Sequence, residues 1–400
     1  MSGERRYPLE GLKVVELGTL IAGPFCARML AEFGADVVKI ESPAGGDPLR
    51  KWRKLHDGTS LWWYAQGRNK KSVTLDLRQP EAQEIVRRLA HDADVVIENF
   101  RTGTMESFGL GYDVLAQINP RLVYCSVSAF GRTGPRKDSA GYEALMQAFS
   151  GIMSITGEPG GQPVRAGVSF LDLSTGVITA FGVVNALLYR ERTGVGQRVD
   201  GSLLETAVSM LAFHAEGYVL TGAMPRALGS GHPSLSPYRN FRCNDGQWVF
   251  IAAANDRFWG RLAPALGLSD LASDPRFARN VDRVQHRSEL EAILEKTIGA
   301  QTRQAVLAAC EAAGVPATPV NTVDQVMNDA QTAARGMVDR VTHPTLGEIP
   351  VVSTPVKFSR MQVGVRHAAP LRGQHTDEVL ASLGYGADAI ASLRSRKVVS

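Results

Sequence analysis

The sequence predicts an α/β protein built on a doubly wound parallel sheet, and three observations carry that expectation. Short runs rich in Val and Ile recur through the first third of the chain, stretches of helical period lie between them, and Gly or Pro punctuates the joins. Strands that read as nearly continuous apolar runs are buried on both faces, as parallel strands covered by helices are.

In chain order, residues 13–17 (Lys-Val-Val-Glu-Leu) read as a buried strand and 18–24 as a turn. Residues 25–33 have helical period and stop at Gly34, and 36–41 form the next strand. Three further strands are expected at 72–77, 94–97 and 122–127, with a helix from Pro80 to about His91. The turn after the first strand reads G-T-L-I-A-G-P, so the G-x-G-x-x-G fingerprint is missing and a nicotinamide cofactor is not expected. Residues 176–191 and 203–221 carry helical periodicity around a short strand at 198–200. A second unit follows, with a strand at 248–252, helices near 256–266, 287–298 and 301–313, and an extended segment at 316–320. Strands at 338–342 and 348–352 and a helical tail from Thr376 close the chain. The expected organisation is a large domain, 1–224 and 331–400, with a smaller one, 225–330, inserted.

Composition narrows the function classes. Of the 400 residues 44% are hydrophobic and 21% charged, as in an ordinary globular protein. Net charge is only +4, with no long basic block, so nucleic acid is not expected as a partner, while local basic pockets for phosphates remain open. Cys26, Cys125, Cys243 and Cys310 are scattered without a C-x-x-C, and the histidines form no H-E-x-x-H, so reduced thiols and no metal are expected. The N-terminus carries no apolar signal region and no apolar run reaches membrane-spanning length, so the expectation is a cytoplasmic protein without a membrane partner.

Asp172 is the most informative residue. It interrupts the apolar Val168-Ser169-Phe170-Leu171-Asp172-Leu173, just before a helical pattern. A buried carboxylate is costly unless paired or hydrogen-bonded. Two readings stand: an N-cap for a helix starting near Ser174, or a nucleophile in a dry pocket.

Segments along the whole chain resemble the class III coenzyme A transferases, the CaiB/BaiF or formyl-CoA transferase-like family. They are Leu9-Glu10-Gly11-Leu12-Lys13-Val14-Val15-Glu16-Leu17, Ala22-Gly23-Pro24, Asn69-Lys70-Lys71-Ser72, Glu98-Asn99-Phe100, Gly131-Arg132-Thr133-Gly134-Pro135, Gly141-Tyr142-Glu143, Arg192-Thr193-Gly194 and Arg372-Gly373-Gln374-His375-Thr376. The resemblance implies a Rossmann-like large domain, a smaller α+β domain, and two chains threaded as an interlocked homodimer. It also implies acyl-CoA and a small carboxylic acid as substrates, coenzyme A as co-substrate, and Asp172 as the nucleophile that forms an aspartyl intermediate.

The resemblance assigns coenzyme contacts to Asn69, Lys70 and Lys71 and to Asn99, Phe100 and Arg101, where cations meet phosphates and an aromatic ring covers adenine. A basic residue usual shortly after the E-N-F segment is replaced by Ser107. Tyr142 stands where the acyl-CoA racemases of the superfamily have a histidine, and no histidine lies between His91 and His214. With a reference pKa of about 10, tyrosine is a poor second base for racemisation, so Tyr142 is expected to contact substrate or coenzyme. Gly229, Gly231 and His232 match a flexible glycine loop expected to act as a lid. Tyr64, Arg68 and Ser236-Pro237-Tyr238 look most like the branch that uses succinyl-CoA with dicarboxylates such as glutarate. Arg50, Arg53, Arg165 and Arg239 are candidates for a remote carboxylate.

Overall fold

Strands β1 (Lys13–Glu16), β2 (Asp36–Glu41), β3 (Lys70–Thr74), β4 (Val95–Glu98), β5 (Val123–Ser128) and β6 (Gln197–Ser202) form one sheet. The computed structural model describes residues 6–52 and 54–400. Spatial order is β3-β2-β1-β4-β5-β6 and every pairing is parallel; Val14 of β1 sits opposite Val37 of β2 and Val95 of β4. The chain winds outward from β1 to β3, then returns to β4 on the other side of β1. That reversal is the switch point of a Rossmann-type sheet, beside which ligands bind at the carboxyl ends of the strands.

Helices cover both faces. Helix α1 (Ala22–Glu32) packs against the long α4 (Phe170–Thr193) on one side. On the other, α2 (Pro80–His91) joins C-terminal helices at Thr376–Ser382 and Ala387–Ser395 in a core of Val15, Ile40, Val73, Ile85, Val96, Leu380 and Leu393. The first compact unit runs to Ser150 and adds Ala166–Glu216 and Ala333–Ser400.

The second unit takes Gly151–Arg165 and Gly217–Thr332, so a segment expected in the large domain belongs to the smaller one. Its three strands, Tyr238–Arg242, Trp248–Ala252 and Ala317–Pro319, are antiparallel, with Trp248–Ala252 central. Helices at Asp256–Ala265, Arg287–Ile298 and Arg303–Ala312 close a core of Trp259, Phe277, Leu290, Leu294 and Val306.

Helix α4 departs most from expectation. It begins at Phe170, six residues before the expected start, so Asp172 lies inside the first turn and is not its N-cap. The cap residue is Ser169, whose side chain makes no capping bond. The Leu171 N–H, one of the four that no turn of the helix itself can satisfy, faces the Glu143 carboxylate at 3.4 Å. A tertiary acceptor thus supports the helix start, which no local sequence signal encodes. The full 24 residues, with a window of mean hydropathy 1.6, also reach membrane-spanning length and composition, correcting the expectation that no run does. Its packing against α1 and the sheet marks it as a core helix.

Candidate active site

The switch point lies where β1 and β4 end. Beyond β1 the chain turns through Thr19 and Leu20; beyond β4 it continues into Asn99. The Asn99 amide grips the turn: its Oδ1 accepts the Thr19 N–H at 2.7 Å and its Nδ2 donates to the Thr19 carbonyl at 2.8 Å. Leu20 sits at φ +64, a region bulky L-residues avoid, and its N–H donates to Asp47 Oδ1 at 3.2 Å. A Cβ on Gly23 would meet the Asn99 side chain at 3.1 Å, so the start of α1 lies directly against that amide.

Under the turn lies a buried ionic network that sequence reasoning missed. Lys39 Nζ touches Glu16 Oε1 at 2.8 Å, Asp47 Oδ2 at 2.9 Å and the Gly18 carbonyl at 2.7 Å. Burial works against its charge, but Glu16, Asp47 and Glu41 outweigh it and hold its pKa above the usual lysine value. Lys70 Nζ pairs with Glu16 Oε2 at 2.7 Å and donates to the Pro24 carbonyl at 2.7 Å. Burial pulls Lys70 down to about 8, because Glu16 is shared and Lys39 stands close by. The network pins both the Gly18–Leu20 turn and the loop entering Asp47.

Asp172 reaches this edge through α4. One turn further along, Gly176 lies so close to α1 that a Cβ would meet the Ala22 carbonyl and Phe25 at 2.9 Å. Asp172 is half-buried, and burial, then the Glu143 carboxylate, push its carboxyl up to about 7. Glu143 opens α3 (Glu143–Phe149), is itself buried, and accepts from Gln147 Nε2 at 2.5 Å. Gln147 Oε1 in turn accepts the Ala166 N–H at 3.0 Å. A desolvated corner shared with a second carboxylate disfavours the ionised form of Asp172.

The remaining candidates divide sharply. Asn99–Arg101 leaves β4 at its carboxyl end, whereas Asn69–Lys71 opens β3 at its amino end, so the parallel sheet holds the two segments apart. Asn69 is buried, donating to the Gly364 carbonyl and accepting from the Arg366 and His367 amides. The side chains of Asn69 and Lys70 are thus committed to the fold, correcting their expected place among the coenzyme contacts. Lys71 keeps its ammonium at the surface, between Asp36 at 3.4 Å and Glu378 at 3.2 Å. Phe100 is half-buried against the core, Arg101 is exposed, and Tyr142 is 64% exposed immediately before Glu143. Ser107 closes a short helical turn and donates to the Thr104 carbonyl at 2.7 Å.

Cations the sequence reading overlooked stand at the carboxyl edge: Arg78 beyond β3, and Arg136 and Lys137 beyond β5. The Lys137 carbonyl accepts from Thr102 at 3.0 Å, tying the loops after β4 and β5 together. Their position a few residues past a strand end was the available signal. Of the four arginines, Arg50 is held by both Glu41 oxygens at 2.7 Å and lies 3.6 Å over the Trp63 ring, and Arg239 pairs with Glu291 at 2.6 Å. Arg165 is exposed, and Arg53 lies outside the described residues.

Within the second unit, Gly229 (φ +58) donates its N–H to the Gly157 carbonyl at 2.8 Å, and a Cβ there would meet the Glu158 carboxylate at 2.6 Å. Gly231 donates to Leu228, and Arg287 Nη2 ties down the His232 carbonyl at 2.7 Å. The His232 ring accepts the Ser234 N–H and meets Tyr238 edge-on at 5.5 Å. The loop expected as a lid is thus tied to Gly157 through Gly229 and to Arg287 through His232, with a local turn at Gly231.

A Rossmann-type sheet with a half-buried acid of raised pKa on a flanking helix defines an α/β fold with an enzyme-like site, and the chain belongs to CoA-transferase family III, whose family model matches residues 9–376. It is 40% identical to the succinate–glutarate CoA-transferase of Agrobacterium fabrum, over 95% of this chain and 96% of that protein. Identity with the succinyl-CoA–D-citramalate CoA-transferase of Chloroflexus aurantiacus is 39%, over the full length of both. A solved structure of a CaiB/BaiF family protein from Brucella suis superposes with a TM-score of 0.85 at 40% identity, covering 95% of this chain and 100% of that one.

Proposed function

We propose that this chain transfers coenzyme A from succinyl-CoA to a second carboxylic acid, a dicarboxylate, through covalent intermediates at Asp172. The observation that carries the reading is the Asp172 carboxyl, half-buried beside Glu143 in the first turn of α4. The relatives named above, which act on succinyl-CoA or pair succinate with glutarate, support the choice of substrates.

In the first step the Asp172 carboxylate attacks the thioester carbonyl; a C–O bond forms, the C–S bond breaks, and CoA leaves as the thiolate. The thiolate attacks the aspartyl carbonyl of the anhydride, releasing succinate and leaving an aspartyl-CoA thioester. The acceptor carboxylate attacks that thioester, giving a second anhydride and free thiolate. The thiolate then takes the acceptor's acyl group and restores Asp172. No water enters and no net charge is created, so the site needs oxyanion stabilisation and dryness rather than an external base. The Leu171–Glu143 contact fixes the turn that carries the nucleophile. Arg78, Arg101, Arg136 and Lys137 supply counter-charge for the coenzyme phosphates. The racemase reading is not favoured, because Tyr142 supplies no second base.

The chain works as a homodimer, interlocked as its resemblance implies. Helix α4 presents Ile178, Phe181, Leu188 and Tyr189 to the outside at 47%, 70%, 50% and 53% exposure, an apolar stripe that a second copy would cover. Light scattering at assay concentrations checks this, and a monomeric mass would end it.

Incubation with succinyl-CoA and a panel of carboxylates, followed by mass spectrometry of the thioesters, tests the activity. Hydroxylamine trapping of the Asp172 peptide tests the intermediate. Exchange undiminished in Asp172→Ala would sink the mechanism.

A further inference from the structure

The Asn69-Lys71 segment, which the coenzyme crevice does not absorb, lines a cavity of about 600 Å³ at the amino ends of β2 and β3. Its other walls are the Gly34–Asp36 turn, Thr342 and Pro344, and the returning C-terminal segment from Arg366 to Glu378. The switch point opens at the opposite ends of these parallel strands, roughly 13–17 Å away at about 3.3 Å per residue.

Donors converge on this cavity. Lys71 stands between two exposed carboxylates at 3.4 and 3.2 Å, long pairs that hold an ammonium only weakly. Arg366 lines the cavity at its border with the neighbouring one that holds Tyr7; its guanidinium lies 4.6 Å over the Tyr7 ring and gives one N–H to the Ala31 carbonyl, and among the described residues no carboxylate pairs with it. His375 Nδ1 accepts the Ser72 N–H at 3.2 Å, so its ring proton sits on Nε2, a donor. His367 completes the wall. Partial burial, then the Arg366 and Lys71 charges, hold His367 below its ordinary value; burial and Lys71, opposed by Glu378, do the same to His375. Lys71 and Arg366 are the full positive charges on this wall; the Asp36 and Glu378 carboxylates, which also line it, offset Lys71 through long, exposed pairs, and the two histidines serve as neutral donors.

We propose that this cavity is a second ligand site, one that binds a small, multiply charged oxyanion, separate from the coenzyme crevice. Phosphate esters and polycarboxylates share that chemistry, and the Arg366 fork with the Lys71 point charge suits either.

Calorimetry on the full chain, held in saturating CoA, with pyrophosphate in one arm and citrate in the other, tests the site and separates the two sources. Saturable binding of at least one is expected, weakened about tenfold or more in Lys71→Ala/Arg366→Gln, as losing charge-assisted hydrogen bonds does. Circular dichroism verifies that variant's fold; should it not fold, Lys71→Ala alone carries the comparison. The accompanying shift of the His375 ring proton resonance is expected with either anion. Absence of saturable binding in both arms, binding unaltered by the substitutions, or binding seen only when CoA is omitted would each overturn the proposal. None of these outcomes depends on transferase activity.

Discussion

Asn99 holds Thr19 by both backbone groups, with N–H to Oδ1 at 2.7 Å and Nδ2 to carbonyl at 2.8 Å, and so joins the two strand ends that flank the switch point. An amide side chain alone has donor and acceptor at the right spacing for that grip. Asn99→Ala leaves two partly buried backbone groups unpaired, about 1–3 kcal/mol of lost preorganisation. The KM for the acyl-CoA is expected to rise about tenfold or more, with a smaller change in kcat. Steady-state kinetics check it, and an unchanged KM would remove the Thr19 turn from the coenzyme site.

The raised Asp172 carboxyl sets a pH dependence. A nucleophilic carboxylate must be ionised, so kcat/KM for succinyl-CoA should climb as pH rises through about 7. Burial is the larger cause and Glu143 the second, so Glu143→Gln should move the acid limb to lower pH without abolishing it. An acid limb that stays in place in Glu143→Gln separates the two carboxyls electrostatically.

The same shift carries a stability consequence. An Asp172 carboxyl at about 7 in the folded chain, against an ordinary value near 4 when unfolded, binds its proton more tightly in the folded state. Stability is therefore lost as pH rises from about 4 to about 7, and the full loss persists above that. Asp172→Asn should unfold at a higher temperature than the parent at pH 8, with the gap closing toward pH 4. Thermal scans across that range decide it; a gap independent of pH would show that Asp172 is not desolvated in the folded state.

How much of this was legible in the sequence follows the range of the forces involved. The apolar runs placed the first five parallel strands to within a few residues, because burial is written into each of them locally; edge strand β6, with one Val and alternate exposed residues, carries no such run. The start of α4 was not legible, since the Leu171 N–H is satisfied by Glu143 from another helix. Lys70 was placed among the coenzyme contacts by resemblance alone; its pairing with Glu16 depends on which strands neighbour β1. Asn99 was found through resemblance, but its grip on Thr19 needed the sheet order.

The contact that brings α4 to α1 gives the sharpest mutational contrast. A methyl at Gly176 would sit 2.9 Å from the Ala22 carbonyl oxygen and the Phe25 Cβ, backbone and a ring stem that have nowhere to go. A methyl at Gly182, two turns further along the same helix, would meet one Val199 methyl at 3.3 Å. Helix propensity favours Ala over Gly by up to about 1 kcal/mol at both positions, so the difference between them isolates packing. Gly176→Ala is expected to be destabilising by about 1–3 kcal/mol, the range of an overpacked core, and to lower transferase activity as Asp172 is pushed from the switch point. Gly182→Ala should leave both unfolding temperature and activity close to the parent. Equal losses in the two variants would mean that the α1–α4 approach does not position the nucleophile.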